Sequence, residues 1–289
     1  MVKRLEEDQI KDFLKKADFL TGESMIIGGS SLFHGAPLLS LQVASRFNKT
    51  VFFVSPEEDL LRVAQEAKSR LFAFIWAPFD QVDDYLVSVD IALIGPGFMR
   101  YFKQKQAKKY YQKPDRRAGK KTKKITERLL KKFSSLPWVI DAGSLQVIDK
   151  KTLPPKSIIT PNNEEFALLF GENLNLLSLD DQIRVVSQKA KENNCLIISK
   201  NPDSIVASRE GYLVVSGGNR GLEKGGTGDV LAGLVMALSA KTTSPLISSA
   251  VAVWLFKKAS QELFKQRETF YNADDLAQVT ALVAKKYLT

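Results

Sequence analysis

Seven short apolar runs set the limits on how this chain can fold. They are Met25-Ile26-Ile27, Thr50-Val51-Phe52-Phe53-Val54, residues 71–76, Ile91-Ala92-Leu93-Ile94, Trp138-Val139-Ile140, Ser157-Ile158-Ile159-Thr160 and Leu196-Ile197-Ile198-Ser199. Each is followed closely by glycine, proline, serine or aspartate, and most are separated by stretches with helical spacing. A continuous apolar run of this length suits a strand buried on both faces of a parallel sheet. Strands alternating with helices argue for an α/β fold. After the seventh run, residues 205–207 and 212–215 flank Arg209-Glu210-Gly211, which is a hairpin pattern. Helices are expected over 38–46, 57–70, 180–193, 246–264 and 274–287, the last with Asn272 as a cap.

A chain of 289 residues can bury a full core, and no break in composition marks a second unit, so residues 1–289 read as a single α/β domain. Residues 1–16 alternate charges with Leu5, Ile10, Phe13 and Leu14, an amphipathic helix rather than a signal peptide. No apolar run is long enough to span a bilayer, which points to the cytoplasm. One cysteine excludes an internal disulfide, and Cys195, opening an apolar run, reads as buried. One histidine with one cysteine excludes a zinc site of Cys/His type. His34 reads as a loop residue, with a lone base as the other reading. Charge is uneven. Residues 100–132 hold 15 lysines and arginines against 2 acids, so the rest of a chain of net charge +10 carries −3. Tyr101, Phe102, Tyr110 and Tyr111 interleave with these bases, and residues 114–119 should break the segment into two helices. No nucleic-acid module is spelled out, so the segment reads as a basic, solvated excursion rather than a polyanion surface.

The most informative loop is Gly225-Gly226-Thr227-Gly228-Asp229, running into an apolar helix that places Val230, Leu231, Leu234, Val235 and Leu238 on one face. Glycines allow positive φ and a close backbone approach to a ligand. The free N–H groups and positive dipole end of the helix attract phosphate. Asp229 can take a proton from a hydroxyl that attacks a phosphoryl group, or it can simply cap the helix.

Other polar residues stand where strands should end. Gly28-Gly29-Ser30-Ser31, Gly95-Pro96-Gly97 and Asp141 follow three of the runs, at the strand ends where open α/β sheets bind ligands. Asp141 can reach into a site or cap the next turn. Asn162 and Glu165 are spaced as a capping box, or as a polar pair ordering magnesium-bound water near phosphates. Lys200, after the seventh run, can meet a phosphate or lie on the surface.

Taken together and in order, Gly29-Ser30, Phe33-His34-Gly35-Ala36-Pro37, Gly95-Pro96-Gly97, Asp141-Ala142-Gly143, Thr160-Pro161-Asn162, Glu165-Phe166, Lys200 and the stretch 218–233 with Lys224 before the loop closely resemble the NAD(P)H-hydrate dehydratase family. The resemblance implies a ribokinase-like three-layer α/β/α sandwich with a mostly parallel central sheet. It implies magnesium and ADP or ATP as phosphoryl donor, with the donor left open. The substrate would be (S)-NADHX or (S)-NADPHX, the nicotinamide-hydrated cofactor. Its ring hydroxyl is phosphorylated and phosphate then leaves. In this reading Asp229 is catalytic, and Ala36, Gly97, Asn162, Glu165 and Asp229 contact the hydrated cofactor. Lys200, Asn201, Pro202, Asp203 and Ser204, with Gly225, Gly226, Thr227 and Gly228, hold the nucleotide, and Glu165 orders the magnesium water shell. An epimerase would be a separate chain, and assembly into a homo-oligomer stays open. A ribokinase-like kinase for a vitamin precursor is the competing enzyme reading. Gly95-Pro96-Gly97 and Lys224 favour the dehydratase.

Overall fold

The computed structural model describes residues 2–57, 59–67, 71, 73–100, 116–241 and 244–288. Its strands are β1 Glu23–Ile27, β2 Thr50–Val54, β3 Ile75–Trp76, β4 Ile91–Ile94, β5 Trp138–Ile140, β6 Ile158–Ile159, β7 Leu196–Ile198, β8 Asp203–Ser208 and β9 Gly211–Ser216. Its helices are α1 Glu7–Lys16, α2 Gly35–Ala44, α3 Asp59–Ala67, α4 Val82–Leu86, α5 Arg116–Lys132, α6 Ala142–Leu145, α7 Asn163–Phe170, α8 Leu179–Glu192, α9 Thr227–Ser239, α10 Pro245–Arg267 and α11 Ala273–Lys285, with short 3-10 turns between some of them.

The strands form one nine-stranded sheet in the order β3-β2-β1-β4-β5-β6-β7-β8-β9. It is parallel from β3 through β7, and β8 and β9 are antiparallel additions. Strand alternation sorts the core into two layers. Ile26, Phe53, Leu93, Val139 and Ile198 face one layer with α1, α2, α9, α10 and α11. Met25, Ile27, Ile94, Ile140 and Ile197 face the other with α4, α5, α7 and α8. The result is an α/β/α sandwich with a mostly parallel central sheet; the apolar runs predict the parallel sheet, and the family resemblance the three layers.

The chain steps outward from β1 to β2 to β3, then returns to the far side of β1 with β4. This reversal opens a crevice beyond the carboxyl ends of β1 and β4, where sheets of this type bind ligands. The outer edge of β9 is partly covered by the N-terminal segment. Val214 donates to the Lys3 carbonyl at 2.8 Å and accepts from the Leu5 N–H at 3.4 Å, which shields an edge otherwise open to pairing.

Three expectations need correction. The third run shortens to Ile75–Trp76, because Phe74 buries outside the ladder and Leu71 is only half-buried. The N-terminal helix begins at Glu7, because residues 3–5 pair with β9 instead. The break expected over 114–119 does not extend past residue 115, since α5 runs unbroken from Arg116 with Gly119 inside it. Leu129 and Leu130 of α5 are core residues, and Thr126 bonds Ser144 at 2.9 Å. This half of the basic segment is therefore a layer helix. Arg128 and Lys132 both reach Asp83, at 2.9 and 2.8 Å, and hold its carboxyl below the usual range against the opposing pull of burial. Tyr101, Phe102, Tyr110, Tyr111 and the first expected basic helix lie outside the described residues, as do residues 68–70 of the expected 57–70 helix.

Candidate active site

The sequence places Gly225 and Gly226 just before α9 because the chain must turn sharply into a buried helix. Gly226 has φ +89°, and a Cβ there would meet Leu39 Cδ1 at 2.5 Å. Both facts require glycine. Thr227 does not offer its hydroxyl to a ligand. Its Oγ1 donates back to the carbonyls of Leu222 and Lys224, at 2.7 and 2.8 Å, and so closes the loop on itself. Among the described residues the N–H groups of Gly225, Gly226 and Gly228 have no protein acceptor. Three main-chain donors within four residues, at the start of a 13-residue helix, form an anion cradle.

Asp229 stands in the first turn of α9, held from behind by Ser40 Oγ, which donates to its carbonyl at 2.7 Å. The N-cap position belongs to Gly226, so Asp229 does not cap the helix. Burial, reinforced by the negative charge of Asp141 and offset by Lys200, pushes the Asp229 carboxyl up to about 7.

Three strand ends converge beside it. Asp141 follows β5 and is 1% exposed, and its Oδ1 accepts from Lys200 Nζ at 2.6 Å and Thr160 Oγ1 at 2.7 Å. Lys200 follows β7. Burial pulls its ammonium down, but Asp141 and Glu165 outweigh this and leave it above the ordinary lysine value. A Cβ on Gly228 would lie 3.3 Å from Lys200 Nζ, so the ammonium sits against the glycine loop. Glu165 and Asn162 make the capping box of α7, with bonds of 2.9 and 3.0 Å. Gln146 Nε2 donates to the other Glu165 oxygen at 2.8 Å, and burial raises the Glu165 carboxyl. Three carboxylates and one ammonium thus share a buried cluster at the cradle.

A cavity of about 580 Å³ opens from this cluster, within the range that holds a nucleotide-sized ligand. Asn162, Lys200, Asn201, Pro202, Ser204, Thr227 and Gly228 line it, and Leu231, Val253 and Phe256 give it an apolar wall. Asp203 lies outside that lining: its carboxylate takes the Ser216 hydroxyl and lies 3.8 Å from Arg4. Ala36 and Gly97 lie at the β1/β4 crevice. Gly97 has φ +74°, and a Cβ there would collide with the Phe33 carbonyl. Ala36 is one turn before Ser40 on α2, on the face turned to the start of α9. His34 is exposed, and Cys195 is buried with its thiol pushed up to about 12.

A family model for NAD(P)H-hydrate dehydratase matches residues 24–281. The chain belongs to the NAD(P)H-hydrate dehydratase family. Among its relatives, the ADP-dependent (S)-NAD(P)H-hydrate dehydratase of Nitrosopumilus maritimus is 25% identical, over 99% of this chain and 98% of that one. The bifunctional NAD(P)H-hydrate repair enzyme of Hyperthermus butylicus is 26% identical over 89% of this chain. The chain spans about half the length of such bifunctional relatives, 47% in that case. The ADP/ATP-dependent NAD(P)H-hydrate dehydratase from Bacillus subtilis, co-crystallized with ATP/Mg2+, superimposes with a TM-score of 0.79 over 99% of each chain at 18% identity. At that identity the likeness concerns the fold, which is ribokinase-like.

Sequence reasoning overlooked two residues at this cluster and its cavity. Gln146, which fixes Glu165, gives no signal, because nothing in a lone glutamine marks its partner. Lys257, which lines the cavity at 4% exposure, does leave a trace. It falls one turn from Val253 and Ser260, on the buried face of α10, where a lysine stands out.

Proposed function

We propose that this chain restores NADH or NADPH from the (S)-hydrated cofactor, with ADP or ATP as phosphoryl donor. One observation carries the reading: a carboxyl poised near neutrality, Asp229, lies at a helix start next to three unused main-chain N–H donors and a nucleotide-sized cavity.

The chain's own residues have these roles. The nucleotide occupies the cavity lined by Asn201, Pro202 and Ser204, its base end toward Leu231, Val253 and Phe256. Its terminal phosphoryl group meets the N–H groups of Gly225, Gly226 and Gly228, which stabilise negative charge during transfer. Lys200 faces the same group from the β7 end, kept charged by Asp141. The hydrated nicotinamide ring enters from the β1/β4 crevice, past Ala36 and Gly97, with Asn162 at its edge. Asp229 takes the proton of the ring hydroxyl as its oxygen attacks the phosphoryl group. The O–P bond to the donor breaks, leaving AMP from ADP or ADP from ATP. The ring nitrogen then donates its lone pair, the C–O bond breaks, phosphate departs, and loss of a ring proton restores the reduced nicotinamide.

Magnesium fits this site through water rather than through direct ligands. Both Glu165 oxygens already accept hydrogen bonds, Asp141 is paired, and no group of three metal-ligating side chains occurs among the described residues. A hydrated ion held by phosphates, with Glu165 ordering its waters, suits magnesium, which sheds water reluctantly. When bound it would neutralise phosphate charge. Among the described residues no helix is long and apolar enough to cross a membrane, and we place the reaction in the cytoplasm.

The test supplies hydrated NADH, magnesium and either ADP or ATP, and follows absorbance at the reduced-nicotinamide band. Recovery with one nucleotide supports the reading and identifies the donor. No recovery with either rejects it.

A further inference from the structure

Lys257 is a cavity-lining lysine that the proposed chemistry leaves unused. It lies on the inner face of α10, 4% exposed. Its ammonium donates to three main-chain carbonyls: Pro202 at 2.6 Å, Val215 at 2.6 Å and Asn201 at 3.0 Å. Ammonium has three protons, and each finds one acceptor. Among the described residues no carboxylate pairs with it directly. Asp203, across from it at the start of β8, is the nearby negative charge, and it is engaged with Ser216 and Arg4. The other charged groups lining the cavity are Lys200, Arg220, Glu223 and Lys224.

Placing an ammonium in the interior is costly, and an apolar side chain of similar length would pack a helix against a sheet at no such cost. What the charge provides is seen in its acceptors. Asn201 and Pro202 belong to the β7–β8 turn, one wall of the cavity. Val215 stands just ahead of Gly217-Gly218-Asn219, another wall. One cation therefore ties two separate walls to α10, which supplies Val253 and Phe256 to the apolar side.

We propose that Lys257 is a positioning residue that sets the distance between these walls and thereby the affinity for the adenine nucleotide. The proposal rests on the nucleotide reading of the cavity given above. Lys257 touches no reacting atom, so its loss is expected to appear in nucleotide binding rather than in turnover at saturation.

The experiment measures ADP and ATP binding by calorimetry, and turnover of hydrated NADH, for wild type, Lys257→Met and Lys257→Ala. The Lys257→Met variant keeps the length and removes the charge. Its nucleotide Kd is expected to rise about tenfold, the scale of one charge-assisted hydrogen bond, with kcat at saturating nucleotide within about twofold. Ammonium chloride is expected to recover affinity in Lys257→Ala, which leaves room for the ion, but not in Lys257→Met, which fills it. Sodium chloride at equal ionic strength is the control. Should Lys257→Ala fail to fold, the wild-type protein provides an independent arm. Burial draws Lys257 down to about 8, and a neutral amine would lose one of its three donors. Nucleotide affinity should therefore weaken as pH rises through about 8 in wild type, and that step should be missing from the Lys257→Met profile. Unchanged affinity in Lys257→Met, a fall in kcat in place of affinity, equal ammonium effects on both variants, or parallel pH profiles would overturn the proposal. If wild type neither binds nucleotide nor acts on hydrated NADH, the functional reading itself has failed. If wild type does both and the variants match it, only Lys257's role is lost.

Discussion

Asp229 combines two demands that pull against each other. A general base works best with a proton affinity near the working pH, and partial burial lifts Asp229 from 3.8 to about 7. Since the base must be ionised to act, the rate should climb as pH rises through about 7 and level off above it. Removing it with Asp229→Ala should lower kcat by a factor on the order of 10²–10⁴, while calorimetry still detects ADP or ATP binding. The same shift acts on stability. The native state holds this proton more tightly than the unfolded chain does. That contribution is complete below about pH 4 and is lost as pH rises to about 7. Asp229→Asn should therefore melt higher than wild type at pH 8, by roughly 1–3 kcal/mol, and lose that advantage near pH 4. An equal or lower melting temperature at pH 8 would contradict this account of the raised carboxyl. Asp229 was legible in the sequence because it follows three glycines. That it does not cap α9 was not, since capping depends on the φ of Gly226, which the residue names alone do not give.

At the scale of elements, the site depends on how closely α2 and α9 approach. Gly233 makes this possible: a Cβ there would come within 2.5 Å of the Ser40 carbonyl oxygen and 2.7 Å of its Cα. Alanine favours a helix over glycine by about 1 kcal/mol, so helix propensity alone would make Gly233→Ala stabilising. The backbone clash reverses the sign. We expect Gly233→Ala to cost about 1–3 kcal/mol in urea unfolding and to weaken turnover as well, because Ser40 also anchors Asp229. Elements with long periodic patterns, such as α8 and α10, were readable from sequence to within a few residues. Residues 71–76 were not. Their composition marks burial, but Phe74 reaches the core without joining the ladder, so apolar content overstated the strand. For α5 the error ran the other way. Residues 114–119 suggested a break, while Leu129, Leu130 and the Thr126–Ser144 bond tie the helix to its layer.

For the molecule as a whole, strand order decides where chemistry can occur. Residues at the ends of β1, β4, β5, β6 and β7 are far apart in sequence and meet because the sheet is parallel and reverses direction at β1. The turn residues could be read off the chain, but neither the position of the switch nor the depth of the cavity could. The N-terminal segment completes the sheet at its far margin. Replacing Leu5 with proline removes the N–H that bonds Val214 and should expose the β9 edge. The expected result is a loss of about 1 kcal/mol and concentration-dependent growth of particle size in light scattering. Unchanged scattering would mean the strap is dispensable. The grouping of Asp141, Glu165 and Asp229 around Lys200 has a thermodynamic corollary. Two of those acids hold protons more readily than usual, so near neutrality the resting protein stores part of a hydrogen ion there. An anionic nucleotide entering the cleft makes those acids hold protons more tightly still and draws hydrogen ions from the medium. Apparent heats of nucleotide association should then differ between phosphate and Tris buffers, in proportion to their own enthalpies of protonation.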